Sequence, residues 1–217
     1  MLETLVIYTF SVFLQANDLI QMCQVCKRLC AVYFETMVKT KVWALAELPD
    51  SVPREWILRL KCNAKNYCYG LLDCFPRLQH LYVNWPSDLI SIWLNFEDLP
   101  QSLLCITLGN NAHFQFANWP PNLTRLEVGH HSSFLEVFGD ESPLTLTDAK
   151  FGDFCIYPAL PDMPSLTNLE IGAGYCDLSC FQCRNLTTLK LDKNFKGIPD
   201  HWKSKLIPYE TTSQKTP

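Results

Sequence analysis

Residues 22–30, MCQVCKRLC, place thiols at Cys23, Cys26 and Cys30. Three thiolates so close together are raw material for a zinc or redox site. Zinc takes four ligands, however, and no further Cys-x-x-Cys or His pair lies at the usual spacing. Cys23 and Cys26 stand one helical turn apart, and free cysteine is among the most buried residue types, so the triplet reads as part of a packed helix. His113 and the pair His130-His131 would make a second ligand cluster only if neighbouring turns of a repeat brought them together. Adjacent histidines in a loop are more often solvated.

Cys176, Cys180 and Cys183, in CDLSCFQC, have the x3/x2 spacing with which radical-SAM enzymes hold an iron–sulfur cluster. Those enzymes carry the cluster ahead of most of a barrel, whereas 34 residues follow here. Leu178 and Phe181, between the thiols, are apolar, so this stretch also reads as packing. There is no Gly-rich phosphate loop and no nucleophile elbow. The sequence therefore predicts no enzyme, no cofactor and no metal site.

The chain has 217 residues, 48% hydrophobic and 18% charged, enough apolar material for a core. A net charge of −4 and a pI near 5.7 give no electrostatic case for nucleic acid. Eleven cysteines, an odd number in a chain that needs no staples, point to reduced thiols in the cytoplasm or nucleus. LVIYTFSVFL (5–14) imitates the apolar region of a signal peptide, but Glu3 is the only charge before it and no small-residue cleavage site follows. Export is not expected, and the Asn-Leu-Thr sequons at Asn122 and Asn185 would matter only with it. No run reaches the ~18 apolar residues of a membrane span.

Two unlike halves must position these residues. Residues 1–45 contain neither Gly nor Pro and space their apolar residues three or four apart, with Asn17-Asp18 as an N-cap before Leu19. This predicts short consecutive helices. Residues 46–56, with two prolines and several charges, read as a linker. From 57 to 205 an apolar-x-x-apolar-x-apolar template recurs in ILRLKC (57–62), LQHLYV (78–83), LLCITL (103–108), LTRLEV (123–128), LTDAKF (146–151), LTNLEI (166–171) and LTTLKL (186–191). Starts lie 21, 25, 20, 23, 20 and 20 residues apart, within the period of ~20–29 for leucine-rich repeats. LISIWL (89–94) fits the template but lies too close to its neighbours, and Ser87-Asp88 there suggests the cap of a short helix. Residues 206–217 read as a polar tail. The predicted class is α+β: a small all-α N-terminal domain, then a parallel-sheet solenoid.

On each strand the fourth and sixth template positions point inward and the third and fifth outward. The outward series are Arg59, His80, Cys105, Arg125, Asp148, Asn168, Thr188 and Lys61, Tyr82, Thr107, Glu127, Lys150, Glu170, Lys190. Stacking sets Glu127, Lys150, Glu170 and Lys190 side by side with alternating sign. They read either as a surface charge ladder, each pair worth ~0–1 kcal/mol, or as a recognition face with Tyr82 as its aromatic anchor.

Leu2, Ile7, Phe10, Phe13 and Leu14, then Asp18-Leu19, then Val25-Cys26-Lys27, make residues 1–45 resemble an F-box, although Glu3 stands where that family usually has Pro. The repeats resemble leucine-rich repeats of the FNIP subtype, seen best in LPQSLLCITLG (99–109) and WPPNLTRLEVG (119–129). F-box proteins with such repeats occur in amoebae and in the large viruses that infect them. The resemblance implies a substrate-recruiting subunit of a cullin-type ubiquitin ligase, in the cytoplasm or nucleus, of the host cell if viral. The ten N-terminal residues named above would dock on a Skp-type adaptor. Arg59, Tyr82, Arg125, Glu127, Asp148, Lys150, Glu170 and Lys190 would face an unidentified target protein. The alternative is a repeat-type interaction module whose first helices merely cap the solenoid.

Overall fold

The repeat template builds one solenoid turn at a time. A computed structural model describes residues 41–48, 52, 54–67, 70–86, 93–96, 99–116, 118–134, 143–156, 162–173, 183–192, 195 and 200–208. Nine parallel strands form the main sheet: β1 (Trp43–Ala44), β2 (Arg59–Asn63), β3 (His80–Asn84), β5 (Cys105–Leu108), β7 (Arg125–Val128), β9 (Asp148–Phe151), β10 (Asn168–Ile171), β11 (Thr188–Leu191) and β12 (Leu206–Pro208). A second parallel sheet contains β4 (Trp93–Phe96), β6 (His113–Phe116) and β8 (Ser133–Phe134).

The register is the one the template requires. Leu60, Leu81, Ile106, Leu126, Ala149, Leu169 and Leu189 stand in one row across neighbouring strands. In every repeat the first, fourth and sixth template residues are buried, from Ile57, Leu60 and Cys62 to Leu186, Leu189 and Leu191. Behind them, under the second sheet, Phe96, Phe114 and Phe116 pack with ring centroids 5.3–6.5 Å apart. Phe116 also packs on Trp119 at 4.6 Å. A single strand could not bury its apolar side alone; stacked turns share one core.

Two corners shape each turn. Where the chain enters a strand, a tight turn closes with the amide of the first template residue bonding the carbonyl three residues back. Examples are Leu103 to Pro100 at 3.0 Å and Leu123 to Pro120 at 3.1 Å. Pro76, Pro121 and Pro164 occupy the second position of such turns, where a fixed φ near −65° favours the bend. Side chains then tie each turn to the one before it. Thr145 Oγ1 donates to the carbonyls of Pro121 (3.0 Å) and Leu123 (2.8 Å), and Ser102 Oγ does the same to Pro76 (3.0 Å) and Leu78 (2.8 Å). The sequon residues Asn122 and Asn185 donate to Gln101 (2.9 Å) and Pro164 (2.7 Å). Their Thr124 and Thr187 partners donate to Leu104 and Thr167, both at 3.0 Å. The two Asn-Leu-Thr sequences thus have a structural use as rungs between turns.

Where the chain leaves a strand, glycines stack. A Cβ on Gly129 would stand 2.6 Å from the Gly109 carbonyl carbon, and one on Gly152 would stand 2.7 Å from that of Gly129. No side chain fits at Gly129 or Gly152. The next residue accepts the amide of its equivalent one turn on: Asn110 Oδ1 from His130 (2.9 Å), His130 Nδ1 from Asp153 (2.9 Å), Asp153 Oδ1 from Ala173 (2.8 Å). His130 Nδ1 also lies 3.1 Å from Asp153 Oδ2. One ring nitrogen cannot accept and donate at once, and its place in this ladder makes it an acceptor. The residue after that, Asn111, His131 or Phe154, has φ of 56–58°.

The expected α+β class is corrected by this architecture: among the described residues there is no α-helix, only parallel strands and 3-10 turns. The return segments explain it. Between β5 and β7 the path is spent on a glycine corner, an entry turn with two prolines, and AHFQF between them, where Ala112, Phe114 and Phe116 alternate into the core. Period two makes a strand there, and too little chain is left for a helix. Trp93, in the LISIWL segment for which a short helix was expected, opens β4, while residues 87–92 lie outside the described residues. Of residues 1–45, all before Lys41 likewise lie outside them, and Trp43–Ala44 pair with Leu60–Lys61 as the first strand of the sheet. Leu48 and Val52, in the expected linker, are buried against the core. The sheet also reaches into the expected polar tail, through β12.

Candidate protein-binding face

The outward side of the main sheet is where the functional reading rests. Its two rows of side chains are held in register by the strand ladder: Arg59, His80, Cys105, Arg125, Asp148, Asn168, Thr188, and beside them Lys61, Tyr82, Thr107, Glu127, Lys150, Glu170, Lys190. All eight residues expected on a target-binding surface lie here. Arg125, Glu127, Asp148, Lys150, Glu170 and Lys190 bound a shallow trough of about 310 Å³ over β7 to β11.

The charges of this trough are largely satisfied within the chain. Lys150 Nζ lies 2.7 Å from Glu170 Oε1, and Lys190 Nζ 3.9 Å from Glu170 Oε2, so Glu170 bridges two cations. Glu127 takes its contact from Arg125, two residues earlier on the same strand, which raises the Arg125 pKa through that hydrogen bond and its charge. Asp148 accepts from Asn168 Nδ2 and from the Thr147 hydroxyl, both at 2.7 Å. The alternation of sign along the fifth positions is present, yet Glu127 is paired along its strand.

Cys105 departs from the expected outward exposure: it is 8% exposed although its position faces out. Burial raises its thiol pKa, partly offset by the Thr107 side chain. Burial also lowers the His80 pKa, with the Arg59 charge as the second cause. Nothing in the residue types announces a buried thiol on an open face.

The candidate ligand clusters do not assemble among the described residues, where no group of three metal-ligating side chains forms. His113 lies on β6 against Ser133 Oγ, His130 belongs to the exit-corner ladder, and His131 stacks on Phe154 with centroids 5.1 Å apart. Cys183 is buried and its thiol donates to the carbonyls of Met163 (3.2 Å) and Leu166 (3.1 Å), a packed role. Cys23, Cys26, Cys30, Cys176 and Cys180 lie outside the described residues, as do the expected adaptor-docking residues Leu2, Ile7, Phe10, Phe13, Leu14, Asp18, Leu19, Val25, Cys26 and Lys27. No helix among the described residues is long and apolar enough to cross a membrane. Comparison with protein-family models, with curated proteins and with solved structures finds no match for this chain.

Proposed function

We propose that the chain is a non-catalytic interaction protein that holds a target protein on the outward face of its main sheet. The supporting observation is the in-register face itself: seven repeats present two parallel rows of side chains on one rigid, fully cored scaffold. Repeat proteins bind through such extended surfaces because neighbouring turns supply many modest contacts at fixed spacing. A photo-crosslinking residue at Thr188 or Tyr82 on this face should capture a target in cells, and one at Gln115 on the second sheet should not. Adducts from Gln115 alone would overturn the reading.

The F-box-like sequence of residues 1–45 supports a narrower form, in which the protein recruits its target to a cullin-type ubiquitin ligase through a Skp-type adaptor. The adaptor would contact Leu2, Ile7, Phe10, Phe13, Leu14, Asp18, Leu19, Val25, Cys26 and Lys27, and the work would be done in the cytoplasm or nucleus, of a host cell if the protein is viral. The pairing of Trp43–Ala44 with β2 favours a second reading, in which the chain before β2 caps the solenoid. Leu14→Asp separates them. Adaptor docking predicts lost co-elution with a Skp-type adaptor at unchanged melting temperature; a cap predicts a lowered melting temperature and no co-elution in either form.

A further inference from the structure

The outward face has two electrostatically different parts. Over β7 to β11 its three cations and three carboxylates stand together and are paired or bridged as described. Over β2, β3 and β5 the outward template positions carry Arg59, Lys61, His80, Tyr82, Cys105 and Thr107, with no carboxylate among them. Arg59 and Lys61 are neighbours on one side of one strand, two residues and so roughly 6.6 Å apart along it. Among the described residues neither makes an ion pair. Side by side, with no ion-pair partner among the described residues, they repel one another.

We infer that this part of the face, centred on Arg59, Lys61 and Tyr82, takes an acidic, extended segment of the target protein, with carboxylates on the two cations and an apolar or aromatic residue on Tyr82. The inference rests on the reading of the sheet face as the binding face and adds where the target sits and what its chemistry is. Arg59 presents a planar fork suited to a carboxylate, Lys61 a second point charge about one dipeptide repeat away. That spacing matches alternate side chains of an extended peptide, which project on one side every second residue. Tyr82 is half-buried and lies directly opposite Lys61, so its ring forms an apolar wall beside the charge. The buried, neutral thiol of Cys105 lies in the row beyond His80, as floor. The paired region beyond it offers an acidic segment no free cation of this kind, because Glu170 and Glu127 already hold the positive charges there.

The test is a fluorescence-anisotropy titration of the full chain with a short labelled peptide of alternating Glu and Leu, against its Gln and Lys counterparts and a single-stranded DNA. The acidic peptide should bind, with affinity falling as salt rises. The double variant Arg59→Gln/Lys61→Gln, folded by circular dichroism, should weaken it by roughly tenfold or more, and Lys190→Gln by less than about twofold. Equal binding of the Gln peptide, undiminished affinity of the double variant, or tighter binding of the DNA would overturn the inference. Capture through a photo-crosslinking residue in place of Tyr82 separates this from failure of the binding face. An adduct on a target segment without acidic residues sinks the inference and leaves the face standing; adducts from Gln115 alone sink both.

Discussion

The entry and exit corners of the solenoid solve the same problem by opposite means. Both must turn the chain and stack it on the turn below. The entry corner does so with side chains: Ser102, Asn122, Thr145 and Asn185 reach back to carbonyls of the previous turn from partly exposed positions. The exit corner keeps a side-chain ladder at Asn110, His130 and Asp153, but just before it removes side chains, so that the backbones at Gly109, Gly129, Gly152 and Gly172 stack directly. A polar rung can be replaced by water when it is lost, but a missing void cannot be created. The exit corner is therefore the intolerant one, and the entry corner the adjustable one.

The sharpest way to break this contrast is Gly152→Ala. Its Cβ would meet the Gly129 carbonyl carbon and the His130 nitrogen at 2.7 Å, backbone atoms that cannot swing aside. A loss of about 3 kcal/mol or more is expected in urea melts. Gly109 provides the internal control, because it stacks on Asn84–Trp85, where no glycine precedes it. A Cβ there would stand 3.2 Å from the Trp85 nitrogen, and Gly109→Ala should cost about 1 kcal/mol. Equal effects at the two sites would refute the column.

Ser132→Ala probes a buried hydroxyl of the exit corner. Ser132 Oγ accepts from the Ala112 amide at 3.1 Å and donates to the Gly129 carbonyl at 2.9 Å, and it is fully buried. Leaving the Ala112 amide without this acceptor, and the Gly129 carbonyl with the weaker thiol donor of Cys155 alone, should cost about 2 kcal/mol. Thermal unfolding checks it, and Ser132→Cys should cost less than Ser132→Ala, because Cys155 already donates to the Gly129 carbonyl at 3.1 Å.

A pH experiment extends the comparison to the exit end of β2, where Cys62 takes the place of an aliphatic residue. Burial pushes its thiol from 9.0 to about 12. Below pH 9 both folded and unfolded chains keep the proton. Above it the unfolded chain releases a proton that the folded chain retains, so stability falls, by up to about 1.4 kcal/mol per pH unit from this group. Cys62→Val should flatten the difference between pH 8.5 and pH 10 in denaturant midpoints; an unchanged slope would refute it.

The smallest effect belongs to the entry corner. Asn185→Ala should cost about 0.5–1 kcal/mol, since the carbonyl it releases belongs to the exposed Pro164. A loss as large as that at Gly152 would erase the distinction between the corners.

Much of the main sheet was legible in the sequence, because a period-two pattern repeated every 20–25 residues constrains register strongly. Leu60 to Leu189 stand in one row as the template demands, and so do Lys61 to Lys190. The outward face was legible for the same reason. The second sheet was not, since β4, β6 and β8 run from two to four residues, and Leu94/Phe96 and Phe114/Phe116 alternate too briefly to stand out. β1 was hidden because Trp43 ends a stretch whose apolar spacing reads as helix. Gly and Pro positions were visible, but their roles depend on what the next turn places against them. The ladder from Asn110 through His130 to Asp153 mixes three residue types that share only an acceptor atom. Sequence identity conceals that kinship, and stacking reveals it.

Parallel stacking has no natural stopping point: each added strand leaves one open edge for the next. β12 answers this with Pro208, paired in register to Leu191. A proline has no amide hydrogen, so the growing direction loses a donor there, and an incoming strand meets an interrupted ladder. At the other margin, among the described residues, the two residues of β1 shield Leu60 and Lys61 of β2. A polypeptide cut just before residue 57 would bare that margin, and its expected fate is edge-to-edge pairing of two such margins into a dimer, because Pro208 interrupts the β12 edge.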